Sequence, residues 1–283
     1  MPIVRKKRKP KRRIVLTIFN ILIVTLILSI MIGAGIVYYI VQDSISKLPE
    51  IDPENVTLDQ NSEIVDTKGN LLSKVYGDGL RTVIPYEDMS QDVINAFIAV
   101  EDKTFWEHHG FNYVRMLGAI KEAVLSQGDV SGTSTITQQL ARNLFLTETR
   151  LDYSPVRKIQ EAYYAMIIED KLPKEKIFET YMNTIFLGSS ANGIQAAANI
   201  YFNKDAKDLD YIEGAMLAAL PSAPTNYSPM IPTERANVES GDYVIGERDS
   251  QFVYVYNPNI EERYKYVLSL MKEQNFISEE QYN

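Results

Sequence analysis

The stretch VEDKTFWEHHG, residues 100–110, contains two adjacent carboxylates, Glu101 and Asp102, and the only two histidines of the chain. Glu101 follows three apolar residues at helical spacing, namely Ile94, Phe97 and Ile98. It therefore projects from the apolar side of a predicted helix, where desolvation raises a carboxyl pKa toward the range of a general base. Periodicity alone leaves open a frayed helix end, with both carboxylates simply in water.

The two histidines, His108 and His109, suggest a metal site. Adjacent residues do not easily face one ligand centre, however, and the chain has no cysteine and no third histidine to complete a zinc site. A structural role is predicted for the pair instead. The lack of cysteine also excludes disulfides and a cysteine nucleophile.

GTSTITQQLARNLFL, residues 132–146, predicts a helix with two opposed stripes. The polar stripe is Ser134, Gln138 and Arg142; the apolar stripe is Ile136, Leu140 and Leu144. One side can therefore pack while the other binds. The small hydroxyl residues before the helix suit a phosphate at its N-terminus, although ordinary hydroxyl capping explains them equally simply.

RKIQE, residues 157–161, places Arg157 and Lys158 four and three residues before Glu161. A surface ion pair along a helix is one interpretation. The other is functional, because Arg142 and Arg150 add further cations to a domain that is otherwise acidic. Such cations could stabilise a leaving phosphate beside a second carboxylate.

The elements that must position these residues are mostly helices. Apolar residues recur at helical spacing from Tyr86 onward, and short alternating segments around DTKGN predict a small β-hairpin. The proline-rich residues 220–232 are expected to be an extended surface segment. The polar, tyrosine-containing residues 237–257 give no clear prediction.

The N-terminal part of the chain predicts a membrane anchor. Residues 14–42 carry no charge and are long enough to cross a bilayer. This apolar run is well beyond the apolar region of a signal peptide, which is about 7–15 residues long. The preceding RKKRKPKRR has eight basic residues, which predicts a cytoplasmic N-terminus. Its place beside a span favours this interpretation over a nucleic-acid arm, so no nucleic-acid partner is expected.

Beyond the anchor, 21 basic residues stand against all 37 acidic ones. An anionic ligand must therefore be bound by a local cluster of arginine and lysine rather than by the general field of the domain.

Four segments together resemble the peptidoglycan glycosyltransferase domain (glycosyltransferase family 51) of class A penicillin-binding proteins and monofunctional transglycosylases. They are EDKTFWEHHG, GTSTITQQLARNLF, RKIQE and KEKIFETYMNTIFLG, in the family's order and approximate spacing. The resemblance covers roughly residues 63–271. It implies a mainly α, lysozyme-like fold, with a cytoplasmic basic segment (1–13), a transmembrane helix (14–42), a linker (43–62) and an extracytoplasmic domain (63–283) that contains the small hairpin.

The resemblance also implies an activity, namely polymerisation of lipid II into glycan strands with inversion and release of undecaprenyl pyrophosphate. Glu101 matches the general base and Glu161 the second catalytic carboxylate. The remaining matched positions imply substrate binding by Asp102, Phe105, Ser134, Thr137, Gln138, Gln139, Arg142, Asn143, Arg150, Arg157 and Lys158. The expected partners are lipid II, the growing glycan strand, the cytoplasmic membrane and other cell-wall synthesis proteins.

Several alternatives stay open. Glu161 with Asp102 could attract Mg²⁺ or Mn²⁺, or the arginines could suffice without a metal. The fifth family motif usually begins with two arginines, whereas this chain has Arg263 followed by Tyr264. The hairpin is more typical of class A proteins, and we expect a truncated member of that class rather than a monofunctional enzyme. A lysozyme-like hydrolase and a non-enzymatic membrane scaffold are the competing functions.

Overall fold

The structure is a computed structural model that describes residues 11–60, 62–75, 79–112, 134–149, 152 and 154–283. The chain forms two compact units. The first comprises Met1–Glu50 with Tyr153–Gln160, and the second comprises Ile51–Asp152 with Glu161–Asn283. Most residues that could carry chemistry belong to the second unit.

The first unit is built on a long apolar helix, α1, Lys11–Ser46. Residues Ile14–Ser46 are long and apolar enough to span a membrane, and the most apolar part of this stretch is not buried against protein. The last turn of α1 contacts the beginning of helix α4, Pro155–Lys171, where the Gln160 side chain donates a hydrogen bond of 3.1 Å to the backbone oxygen of Ser44. An N-terminal helix suited to membrane anchoring is thus confirmed.

The second unit begins with the predicted hairpin. Strands β1, Ser62–Val65, and β2, Leu71–Val75, pair antiparallel across the DTKGN turn. The Asp66 carboxylate accepts hydrogen bonds from the backbone N–H groups of Lys68 and Asn70, each at 2.8 Å, which closes the turn. The small hairpin is therefore confirmed.

The core of the second unit contains a group of three helices, α2, α7 and α9. Their bounds are Gln91–Glu101, Tyr211–Ala218 and Asn259–Glu273. Ser90 caps α2 by accepting a hydrogen bond from the Val93 N–H, and a capping box formed by Asp210 and Glu213 begins α7. Gly214 lets the helices approach closely, because a Cβ there would lie 3.2 Å from the Val93 Cα.

The other helices follow in chain order. They are α3, Ile136–Phe145; α4, given above; α5, Lys174–Thr184; α6, Ile194–Phe202; α8, Pro224–Tyr227; and α10, Glu279–Tyr282. Helix α3 packs against α5, and their buried side chains include Ile136, Leu140, Phe178 and Tyr181. This pairing places the polar residues of α3 beside the end of α2.

A second sheet has two of its strands within residues 237–257, for which no clear prediction was made. Strands β3, Met230–Glu234, β4, Val244–Glu247, and β5, Phe252–Tyr256, form an antiparallel sheet with β5 in the middle. The expectation of a purely extended segment at 220–232 was wrong, because Pro224 begins α8 and β3 begins at Met230. Pro232 is tolerated because β3 is an edge strand. The mainly α fold class is nevertheless confirmed.

Candidate active site

Glu101 is the last residue of α2, and its carboxylate lies within the protein rather than in open water. Its Oε2 accepts a hydrogen bond of 2.7 Å from the Gln139 side-chain amide on α3. Burial raises the pKa of the Glu101 carboxyl above its ordinary value, and the Gln139 hydrogen bond opposes that rise. Of the two alternatives left by the sequence, the structure thus favours the desolvated carboxylate.

Two arginines act on the same carboxylate from different helices. The positive charges of Arg263 on α9 and Arg142 on α3 both lower the pKa of Glu101, against the larger effect of burial. The Arg263 guanidinium lies 5.2 Å from the ring centroid of Tyr266 and 6.0 Å from that of Tyr227. Arg263, the arginine present in the fifth motif, therefore acts electrostatically on Glu101, while Tyr264 occupies the position where the family usually has a second arginine.

Asp102 lies next to Glu101 in the chain but in a different environment. It is 0 % exposed, and its Oδ2 atom pairs with His108 Nε2 at 2.7 Å and accepts the Ile136 backbone N–H at 3.1 Å. Ile136 is the first residue of α3, so Asp102 holds the end of α2, the following loop and the N-terminus of α3 together. This is a positioning arrangement, and it gives His108 the predicted structural role.

Thr137 and Phe105 are also fully buried, and both contribute to the support of the site. Thr137 donates a hydrogen bond of 2.5 Å to Glu169, which also binds Lys174 at 2.7 Å. The Lys174 ammonium lies 4.5 Å from the centroid of the Phe105 ring. The predicted substrate contacts of these residues stay predictions, since the structure shows them packed inside the protein.

The polar stripe of α3 is only partly as expected. Ser134, Gln138 and Arg142 are partly exposed, as is Asn143, while Ile136 and Leu140 are buried. Thr135 and Gln138 form a capping box, in which Gln138 Oε1 accepts the Thr135 N–H at 2.9 Å. Hydroxyl capping thus occurs at Thr135, while Gly132 and Thr133 lie outside the described residues.

The third motif lies on α4. Glu161 is 0 % exposed and Arg157 is 4 % exposed, whereas Lys158 is exposed. Arg157 and Glu161 therefore do not form the exposed surface ion pair that was one interpretation of the sequence. Arg150 lies outside the described residues. Among the residues that the structure describes, no group of three His, Cys, Asp or Glu side chains could hold a metal ion.

Two features of the site were not recognised in the sequence. The fully buried Tyr181 on α5 donates a hydrogen bond of 3.3 Å to Gln139 Oε1, and Glu169 links α4 to α3 through Thr137. A tyrosine at a core-facing position of the fourth motif was the available signal, because a buried phenol usually finds a hydrogen-bond partner. Nothing in the linear sequence indicated which partner it finds.

The family model described as Transglycosylase matches residues 68–247. The chain belongs to the transglycosylase family. The resemblance stated from the four motifs is thereby confirmed, and the matched residues include the ends of α2, α3 and α4 that carry the site.

Curated relatives of this transglycosylase-family chain carry the name penicillin-binding protein. Penicillin-binding protein 1A of Clostridium acetobutylicum is 38% identical over 271 residues, which cover 92% of this chain and 30% of that protein. Penicillin-binding protein 1F of Bacillus subtilis is 41% identical, covering 71% and 28%. Penicillin-binding protein 1A of Aquifex aeolicus is 45% identical, covering 65% and 25%. The chain thus spans less than a third of the length of each of these relatives.

Proposed function

We propose that this chain is a peptidoglycan glycosyltransferase that polymerises lipid II into glycan strands. The observation that carries the proposal is the Glu101 carboxylate, desolvated at the end of α2, bonded to Gln139 and acted on by two arginines. A carboxylate with a raised pKa and fixed orientation suits a general base working near neutral pH. Membership of the transglycosylase family supports the class of reaction.

In the proposed reaction, Glu101 accepts the proton of the acceptor sugar's 4-hydroxyl as the oxygen attacks the donor's anomeric carbon. A new glycosidic C–O bond forms, and the bond from that carbon to the pyrophosphate oxygen breaks with its electrons going to the leaving group. Attack from the face opposite the leaving group inverts the anomeric centre. Undecaprenyl pyrophosphate is released, and the proton remains on Glu101 until solvent removes it.

The leaving group explains why cations rather than a second acid are needed. A pyrophosphate departs as a stable anion, so positive side chains can stabilise it without protonating it, unlike the alcohol released by a glycosidase. Arg142 is proposed to stabilise the leaving pyrophosphate in this way. By family resemblance, Arg150, Arg157 and Lys158 would bind the pyrophosphate, Glu161 would assist nearby, and Ser134, Gln138 and Asn143 would contact the donor.

Whether the proposed reaction requires Mg²⁺ or Mn²⁺ is a question for experiment. The Asp102 carboxylate is already engaged by His108 and the α3 N-terminus through one oxygen, and the described residues offer no set of three metal ligands. The residues described therefore do not form a metal site by themselves. Turnover measured with and without chelator tests this: loss of activity in chelator would show that a metal ion is required, and unchanged turnover would remove the metal.

We further propose that α1 anchors the domain to the cytoplasmic membrane, with the basic N-terminus inside and the catalytic domain outside. The length of the apolar helix and the eight basic residues that precede and enter it support this orientation. Anchoring suits a substrate that carries a polyprenyl tail and stays at the bilayer surface. The growing glycan strand and other cell-wall synthesis proteins are the partners expected there.

The deciding experiment incubates the full chain in detergent or vesicles with labelled lipid II and separates the products on a gel. Glu101→Gln should abolish the polymer ladder, because the amide cannot accept the proton. Glu107→Gln is the matched control, since Glu107 lies in the same motif but is exposed. Undiminished polymerisation by the Glu101 variant would refute the assignment of the base.

A parallel incubation with finished peptidoglycan separates the competing functions. Soluble fragments released from finished peptidoglycan, without a ladder from lipid II, would identify a lytic hydrolase. Neither ladder nor fragments from the unmodified chain would identify a non-enzymatic scaffold. A ladder built only from the lipid-linked monomer supports the glycosyltransferase.

A further inference from the structure

A chain of two hydrogen bonds leads from Tyr181 to the proposed base. The Tyr181 hydroxyl on α5 donates to Gln139 Oε1 at 3.3 Å, and Gln139 Nε2 on α3 donates to Glu101 Oε2 at 2.7 Å. Tyr181 is 0 % exposed and Gln139 is buried, so water does not readily replace either partner. Three helices thus meet through these three side chains.

The chemistry of the three groups sets the direction of the chain. A glutamine amide has one accepting end and one donating end, and an ionised carboxylate only accepts. A phenol that donates to Gln139 Oε1 therefore turns the amide N–H toward Glu101. Burial, followed by the charge of Glu101, holds the pKa of Tyr181 well above its usual value, so the phenol keeps its proton and remains a donor.

We propose that Tyr181 is a positioning residue, which acts through Gln139 to hold the Glu101 carboxylate in its ionised form and in a fixed orientation. The role of Glu101 as a base rests on the proposed function. Tyr181 itself touches neither substrate nor reacting atoms. Its effect is transmitted because a buried acceptor without its donor is destabilised, which weakens the preference of the amide for donating to Glu101.

Other charged groups act on Glu101 and must be kept constant in a test. Arg263 and Arg142 favour the ionised form, whereas the neighbouring Asp102 opposes it. None of these is removed by Tyr181→Phe, which deletes a single oxygen atom from a ring that is otherwise packed as before. Any change in the titration of Glu101 in that variant therefore reports on the hydroxyl.

The experiment measures kcat/KM for lipid II against pH with the full chain. Glu101 must be ionised to act, so activity rises with pH through its pKa. Tyr181→Phe should move this acid limb to higher pH by about half a pH unit, which lowers kcat/KM about threefold at a fixed pH on the limb. The plateau at higher pH should change little, whereas a damaged fold would lower activity at every pH.

A matched control is Tyr201→Phe. Tyr201 also donates its hydroxyl to a protein acceptor, the backbone oxygen of Leu187 at 2.9 Å, but belongs to helix α6 and is not bonded to Glu101 or Gln139. This variant should leave the acid limb where it is in the unmodified chain. An equal displacement in both variants would overturn the specific role of Tyr181.

A double-mutant cycle tests whether the effect passes through Gln139. Gln139→Met keeps the approximate shape of the side chain and removes both hydrogen bonds, and it should itself move the acid limb upward. Adding Tyr181→Phe to it should then cause little further movement. An unmoved limb in the single Tyr181 variant, or a full additional displacement in the Gln139 background, would overturn the proposal.

A second readout does not depend on activity. The carboxyl ¹³C resonance of Glu101, identified by its loss in Glu101→Gln, titrates with the pKa of that side chain. The resonance should titrate at higher pH in Tyr181→Phe than in the unmodified chain. An unchanged titration would refute the positioning role of Tyr181. If the unmodified chain makes no polymer but Tyr181→Phe still shifts the titration of Glu101, the proposed function is refuted while the positioning role of Tyr181 is supported.

Discussion

Replacing the proposed base should make the protein more stable at neutral pH while it abolishes activity. The Glu101 carboxyl has a folded-state pKa raised above its ordinary value of 4.5, chiefly by burial. Below pH 4.5 the group is protonated in both the folded and the unfolded chain, and there is no penalty. As the pH rises, the unfolded chain ionises freely while the folded one ionises against desolvation, so the free energy of unfolding falls.

In the neutral variant Glu101→Gln, the free energy of unfolding does not fall with rising pH for this reason. Its amide oxygen can still accept the hydrogen bond from Gln139, so the packing of α2 against α3 is preserved. Ionisation above the folded-state pKa costs about 1.4 kcal/mol for each pH unit by which that pKa is raised. Each ~1.4 kcal/mol of stability regained in this way raises the unfolding midpoint of a unit of this size by roughly 3–6 °C.

The chain provides its own probe for the measurement. Its single tryptophan, Trp106, lies five residues after Glu101, with its ring centroid 5.0 Å from that of Phe105. Trp106 emission therefore reports unfolding of the segment that carries the base. Thermal unfolding of both forms of the full chain in the same detergent, from pH 4 to 8, gives the difference in midpoint against pH.

The expected difference is small at the acid end and grows in favour of Glu101→Gln as the pH rises through the folded-state pKa. Glu107→Gln, at an exposed position, should show no comparable trend. A Glu101 variant that is less stable than the unmodified chain at pH 8, or a difference that does not vary with pH, would show that the carboxylate is not desolvated. The account of Glu101 as a tuned base would then fail.

Three further predictions concern the same site and its anchor. Arg263→Gln should move the acid limb of kcat/KM to higher pH, because the positive charge that it removes holds the pKa of Glu101 down; an unmoved limb would show that Arg263 does not act on Glu101. Asp102→Asn weakens two charge-assisted hydrogen bonds and should lower the free energy of unfolding by about 2 kcal/mol, whereas the exposed control Asp88→Asn should stay within about 0.5 kcal/mol. Because the chain has no cysteine, an impermeant maleimide on intact cells should label Lys207→Cys but not Lys7→Cys, and the reverse pattern would invert the proposed orientation.

The elements that the sequence predicted well are those with a strong local signal. The apolar N-terminal helix, the hairpin around DTKGN and the helical character after Tyr86 each follow from composition or from a short period. The apolar spacing before Glu101 likewise indicated a carboxylate on the buried side of α2. These features depend on neighbouring residues in the chain, which a sequence displays directly.

The three-stranded sheet was missed because its signals are weak and its contacts are distant. Strand β3 contains Pro232, which normally argues against a strand, and the pairing of β3 with β5 joins residues about twenty positions apart. Only two residues of the sheet, Val253 and Val255 on the central strand, are buried hydrophobics. Edge position, which permits the proline, becomes visible only once the pairing is known.

The hydrogen-bond partners in the site could not be read from the sequence for a similar reason. Gln138 and Gln139 are adjacent and chemically identical, yet one closes a capping box and the other binds Glu101. Which of them faces the base depends on the rotation of α3, and Asp102 helps to hold the start of that helix through the Ile136 N–H. The assignment is therefore a property of the packing of α2 against α3.

Glu101 and Asp102 show how one dipeptide can provide both the proposed base and its support. Glu101 accepts a hydrogen bond from an amide that is itself held by Tyr181, and burial works against its ionisation. Asp102 is bound to His108 and to a helix N-terminus through the same oxygen, and it is fully buried, which leaves it poorly placed to accept a proton from a substrate. Because both contacts lead to α3, a change that rotates this helix would disturb the base and its support together. Variants at the α3 N-terminus should therefore lose activity even where they leave every proposed substrate contact in place.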